Sequence, residues 1–218
     1  MPSAMILTGM EPYRDLWHGL GATSERVSEL LRGWGFDTEL TDDLLAGVDA
    51  APDLLVVNIA GRGSHPDPRE ARTARGLNRI LDERVPVLAL HSAAIAFADQ
   101  PVWRQIIGGR WEPGISGHPQ IGTSAIHVLR GHEITHELDP FAVYDERYSR
   151  LTRDSGVALA EHVEDGVRHE LAWALEADDG RRAVYDGLGH AVESYDSPGR
   201  VELFRREVAW LSRIRIRS

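Results

Sequence analysis

Val85-Pro86-Val87-Leu88-Ala89-Leu90 runs directly into His91-Ser92-Ala93-Ala94. An almost unbroken apolar run of this length reads as a strand buried on both faces, as in a parallel sheet covered by helices. The proline sits near the strand's start, where it is tolerated. A helix is expected from Ser92 to Asp99, so a polar pair occupies the junction of a buried strand and a helix. A side chain there stands at the carboxyl edge of the sheet, beside the positive end of a helix dipole, where open α/β sheets bind ligands.

The same pattern extends in both directions. Asp53 to Ala60 holds the apolar run Leu54-Leu55-Val56-Val57-Asn58-Ile59, Met5 to Gly9 is a short apolar run, and Phe36 to Leu40 alternates. Between them, Thr23 or Ser24 can cap a helix carrying Val27, Leu30, Leu31 and Trp34 on one face, and Arg69 to Glu83 places Leu77, Ile80 and Leu81 at helical spacing. This β-α-β-α-β order predicts strands at 5–9, 36–40, 54–60 and 85–90 in one parallel sheet with helices on both faces.

The second half is less regular. Gly108 to Gly122 is loop-rich, and Ile126 to Leu129, Tyr144 to Leu151 and Val157 to His162 are candidate strands. Leu171 to Ala177 and Arg182 to Asp186 form an expected hairpin around Asp178-Asp179-Gly180, and Gly199 to Arg213 is a closing helix with Val201, Phe204, Val208 and Leu211 on one face. No repeat or linker divides the chain, so one domain over residues 1–218 is expected. Trp210 suits either the core or the seam of a homo-oligomer.

Composition excludes several chemistries. A net charge of −10 repels phosphate backbones, so no nucleic-acid partner is expected. No basic cluster would dock the chain on anionic lipid, and no apolar run approaches the ~18–20 residues that span a bilayer. The N-terminus has neither a basic n-region nor a long apolar h-region, and the cytoplasm is the expected compartment. With no cysteine, thiolate nucleophiles, thiolate metal sites and disulfides are ruled out. All 24 basic side chains are arginine, which also removes lysine nucleophiles.

The carboxyl-edge rule selects Glu11, Asp15 and His18 after the first strand, Asn58, Arg62 and His65 after the third, His91 and Ser92 after the fourth, and His190 after the hairpin. Ser92 could equally cap its helix while His91 bonds a neighbouring loop. His118 lies in the long loop, where it either serves a site or fixes a turn. Asp145 and Glu146 are adjacent, so on a strand they face opposite ways, and one can face a site while the other is solvated or pairs with an arginine. His132-Glu133-Ile134-Thr135-His136 formally matches the zinc-protease motif, but Gly131 and Pro140 leave too little room for the helix that motif needs.

Taken in order, Leu90-His91-Ser92-Ala93, Ile107-Gly108-Gly109-Arg110-Trp111, His118-Pro119, His132 to Thr135, Tyr144-Asp145-Glu146 with Tyr148, and Leu188-Gly189-His190 resemble the ThuA-like family, named for trehalose utilisation. The resemblance implies an α/β, flavodoxin-like fold similar to class I glutamine amidotransferases: a three-layer sandwich around a central, mainly parallel sheet. His91 would then occupy the position of the amidotransferase cysteine. His190 falls near that fold's late histidine, and Val192 stands where a glutamate is expected, so glutaminase activity is not expected. Trp111 replaces the family's usual phenylalanine, and the stretch to His118 looks longer than usual.

The resemblance further implies a sugar-derived ligand, trehalose or a related keto sugar. His91, His118, Glu146 and His190 are the expected catalytic groups, and His18, Ser92, Arg110 and Tyr148 the expected substrate contacts. Imidazoles and a carboxylate suit acid–base work near neutral pH. They also suit a divalent metal such as zinc, with His91, His118 and His190 as ligands. The rival reading is a non-catalytic sugar- or metabolite-binding or interaction protein on the same fold. Convergence of the four catalytic candidates on one point separates the two.

Overall fold

The computed structural model describes residues 1–216. In chain order the elements are β1 (Ser3–Leu7), α1 (Leu20–Gly33), β2 (Asp37–Thr41), α2 (Leu44–Asp49), β3 (Leu54–Val57), α3 (Glu70–Glu83), β4 (Val87–Leu90), α4 (Pro101–Ile107), β5 (Gly109–Arg110), β6 (Gly122–Val128), β7 (Phe141–Asp145), β8 (Thr152–Arg153), β9 (Val157–Glu164), β10 (Val167–Glu176), β11 (Arg182–Asp186) and α5 (Pro198–Ser212).

Side chains alternate across a strand, and this divides the core into two layers. Ala4, Ile6, Leu54, Val56, Leu88, Leu90 and Val184 pack with Val27 and Leu31 of α1 and Leu203, Phe204 and Val208 of α5. Their neighbours Met5, Leu7, Leu55, Val57, Val87, Ala89 and Tyr185 pack on the other face with Leu44 of α2, Leu77 and Ile80 of α3 and Trp103 of α4. Burial on both faces is why these strands are apolar throughout.

The main sheet has the order β2-β1-β3-β4-β11-β10-β9-β6-β7. The pairings from β2 through β11 are parallel, as expected for the four N-terminal strands. From β11 outward the strands are antiparallel, beginning with the expected hairpin of β10 and β11. A short antiparallel pair, β5 and β8, lies apart. None of the described helices is long and apolar enough to cross a membrane.

Two expected elements differ. No α-helix runs from Ser92 to Asp99: a single 3₁₀ turn covers His91–Ala94, and the helix waits until Pro101. Phe97 adopts a left-handed backbone (φ +50°), which a continuing helix cannot accommodate. The strand expected at Tyr144 to Leu151 is Phe141–Asp145, and the chain leaves the sheet just before Glu146. The His132–His136 stretch forms a 3₁₀ turn over Glu133–Thr135, with the His132 ring 4.9 Å from that of Trp210 and Trp210 itself in the core.

Below the carboxyl edge lies a wholly buried ion pair, with Arg200 of α5 2.8 Å from Asp186 at the end of β11. Burial and the adjacent Asp186 carboxylate push the neighbouring Glu207 carboxyl well up, against the pull of Arg200. Removing one partner of such a pair strands the other charge. Arg200→Leu is therefore expected to lower stability by about 3–5 kcal/mol, read by urea denaturation. A loss below about 1 kcal/mol, the range of exposed pairs, would contradict this assignment.

Candidate metal centre

Four chain segments deliver side chains to one point at the carboxyl edge, and each is fixed locally. After β1, Asp15 Oδ1 accepts the backbone N–H groups of Trp17 and His18, both at 2.9 Å. Its Oδ2 lies 2.7 Å from His18 Nδ1. This network assigns the proton to Nδ1 and leaves the His18 Nε2 lone pair free.

His91 directly follows β4 with φ +41°, in the left-handed region that suits glycine. The Tyr185 hydroxyl donates to its carbonyl at 3.0 Å, and its Nδ1 donates to the Gly187 carbonyl at 2.8 Å. His91 Nε2 therefore faces the centre.

His190 ends the turn after β11. A Cβ on Gly187 would lie 2.6 Å from the Leu171 carbonyl oxygen, and Gly189 turns with φ +109°. Only glycine allows the backbone to pass this close. Glu146 enters from the loop after β7.

His91 Nε2 and His190 Nδ1 each lie 3.4 Å from Glu146 Oε2 and 3.3 Å from each other. His18 Nε2 is 4.0 Å from the same oxygen. Ligand atoms of His18, His91, Glu146 and His190 all fall within 4.8 Å of one another. His118 Nδ1 reaches the other oxygen of Glu146 at 3.1 Å.

The four catalytic candidates thus meet, but the metal-type cluster differs from the expected one. His18 stands in it where His118 was expected, because His118 approaches Glu146 from the far oxygen at the exposed margin.

Burial alone would raise the Glu146 pKa. Hydrogen bonds from His190 and His91, and the charges of His91 and His118, outweigh it and hold the carboxyl well below its usual range. The hydrogen bond to Glu146 raises His190 against the opposing effect of burial. Burial and the neighbouring His91 lower His18, against the pull of Asp15. Several imidazole nitrogens gathered around one anion need a shared proton or a cation between them, since facing lone pairs repel.

Glu146, His18 and His190 line a cleft of about 650 Å³ together with Trp17, Ile95, Trp111, Ile121 and Tyr148. The Tyr148 hydroxyl is 3.4 Å from His18 Nε2. Ser92 and Arg110, expected to touch substrate, do not line this cleft. The Ser92 hydroxyl is buried and donates to the Ile59 carbonyl at 3.1 Å. Arg110 pairs with Glu112 and lines a neighbouring cavity of about 360 Å³, which shares Ile95 and Trp111 with the cleft.

Asn58 spends its amide on Leu20, Thr23 and Ser24, tying β3 to α1, and Arg62 pairs with Asp99 at 3.0 Å. Sequence reasoning missed Trp17. Its signal was an aromatic in a polar loop, next to a candidate histidine and outside any apolar periodicity.

The ThuA family model, described as trehalose utilisation, matches residues 17–211, and the chain belongs to that family. No curated protein matches it in sequence. A ThuA-like protein from Parabacteroides merdae has a similar structure, with TM-score 0.79 at 17% identity over 100% of this chain and 92% of that one. A second, from Bacteroides uniformis, gives TM-score 0.73 at 13% identity over 96% and 91%. A glutamine amidotransferase from Thermotoga maritima gives 0.56 at 9% identity over 97% and 98%. The fold is accordingly flavodoxin-like and glutamine amidotransferase-like.

The strained backbone at His91 can be measured apart from its side chain. His91→Gly and His91→Ala both lose the imidazole, but only alanine carries a Cβ into the left-handed region. The glycine variant should be more stable by about 1 kcal/mol in urea denaturation with EDTA present. Greater stability of the alanine variant would contradict the conformation.

Proposed function

We propose that this ThuA-family protein is a divalent-metal enzyme acting on a neutral, sugar-derived substrate, with His18, His91, His190 and Glu146 as the metal's ligands. The observation that carries this is the triangle of donor atoms with edges of 3.3, 3.4 and 3.4 Å. Tetrahedral zinc, bound at roughly 2.0–2.1 Å, separates its ligand atoms by about 3.3–3.4 Å.

The outer nitrogens of His18 and His91 are held by a carboxylate and a carbonyl, the arrangement that orients metal-binding histidines. Imidazole and carboxylate donors suit zinc and its first-row neighbours better than magnesium or calcium.

A bound metal would supply polarisation of a substrate oxygen and acidification of a water. The remaining chemistry belongs to the chain. His118 Nδ1 lies 3.0 Å from the Pro119 carbonyl and 3.1 Å from Glu146, which leaves Nε2 basic at the cleft margin. That nitrogen is placed to take a proton from a group in the cleft, or to return one.

Burial, then the charges of Glu146, Asp15 and Asp145, push the Tyr148 phenol well up, so it remains a hydrogen-bond donor to a substrate oxygen. Trp17 and Trp111 offer aromatic faces for the C–H face of a sugar ring. Among the described residues no arginine lines the cleft, which disfavours a phosphorylated or acidic sugar. Trehalose-derived or oxidised keto disaccharides fit this description, and hydrolysis, elimination or isomerisation would each use a proton transfer beside a polarised oxygen.

Elemental analysis of protein purified without immobilised metal or imidazole is expected to find about one first-row divalent ion per chain. Glu146→Ala and His91→Ala should lose it. His118→Ala should keep the metal but lower turnover of a neutral keto-disaccharide by about 10²-fold or more. No stoichiometric metal, together with no thermal stabilisation by zinc, manganese, cobalt or nickel, would overturn the proposal.

A further inference from the structure

We infer that Asp145 is a positioning residue that sets the spacing of two of the metal-site ligands, Glu146 and His190; this rests on the metal-centre reading above. Asp145 is 1% exposed. Its Oδ1 accepts the backbone N–H of Glu146 at 2.8 Å and that of His190 at 3.1 Å. Its Oδ2 accepts the Gly189 N–H at 2.7 Å and the Ser194 hydroxyl at 2.5 Å. A carboxylate has about four lone-pair sites, and all are engaged.

The topology makes this link informative. Asp145 ends β7, while His190 follows β11, and β10, β9 and β6 lie between them in the sheet. Four strand steps at ~4.8 Å would separate them by ~19 Å in a flat sheet. The sheet instead coils until Asp145 sits against the turn after β11. A buried carboxylate costs several kcal/mol in desolvation unless it is fully bonded, and here its bonds go to the main chain of two ligand-bearing residues. The Glu146 and His190 atoms are 3.4 Å apart, and both backbones hang from one oxygen of Asp145.

Asparagine matches the shape of aspartate but turns one acceptor into a donor that faces N–H groups. In Co(II) titrations of metal-free protein, Asp145→Asn should weaken binding by about 10- to 100-fold and alter the Co(II) absorption bands. Ser194→Ala removes a donor from the same carboxylate without freeing either ligand's amide, so its affinity and spectrum should match wild type.

Amide exchange on the metal-free wild type provides a test that needs no variant: the N–H groups of Glu146, Gly189 and His190 should be protected. Wild-type affinity and spectrum in Asp145→Asn, or fast exchange at those amides, would overturn the inference while leaving the metal centre standing. Failure of the wild type itself to bind Co(II) would defeat the metal-centre reading, and this inference with it.

Discussion

The turn after β11 must bury three consecutive backbone N–H groups, and two carboxylates accept them. Leu188 N–H donates to Asp186 at 3.0 Å, and those of Gly189 and His190 donate to Asp145. Unpaired, each buried N–H would cost about 1–3 kcal/mol, so the turn is stable only with both acids in place. The acids in turn impose demands below: Asp186 draws Arg200 into the core, and the Glu207 carboxyl beside that pair is pushed well up by burial and by Asp186. The charged layer under the cleft is thus a consequence of bringing His190 over the sheet edge.

The elbow after β4 works by a different constraint. In an amidotransferase-like fold, the strand-to-helix junction lifts one side chain above the sheet. Here that side chain is His91, whose left-handed backbone is held by Tyr185 and whose ring is held by the Gly187 carbonyl. The fold presents the group, and the group decides the chemistry. Without a cysteine anywhere in the chain, the elbow cannot hold a thiolate. The likeness to the Bacteroides and Parabacteroides structures, at 13% and 17% identity, establishes the scaffold alone.

The parallel half was legible because strands buried on both faces must be apolar throughout, and Leu54 to Val57 and Val87 to Leu90 carry that pattern without competition. The carboxyl-edge rule then pointed to His18, His91 and His190. The fold-back of β6 and β7 was not legible. It depends on contacts such as Asp145 to Gly189, between residues 44 apart, which leave no local periodicity. Sequence left open which of Asp145 and Glu146 faces a site, and neither the solvated nor the arginine-paired alternative covers the main-chain bonds that Asp145 makes. Ser92 and Arg110 were drawn into the site by their neighbours in sequence, but a 3₁₀ turn and the left-handed Phe97 redirect the chain there.

The loop between β1 and α1 ties ligand, wall and anchor together. Asp15 holds the amides of Trp17 and His18 and the His18 ring. Trp17 is 79% exposed, a large apolar side chain that nothing in the fold requires to be there. Its backbone N–H is nevertheless held by the same carboxylate that holds the His18 ring. Trp111 lines both this cleft and the neighbouring cavity and stacks edge-on to Tyr148 at 4.8 Å. The cleft thus sets the imidazole and carboxylate groups of His18, His190 and Glu146 beside the aromatic side chains of Trp17, Trp111 and Tyr148, and the Asp15 carboxylate links the His18 ring to the backbone that carries Trp17.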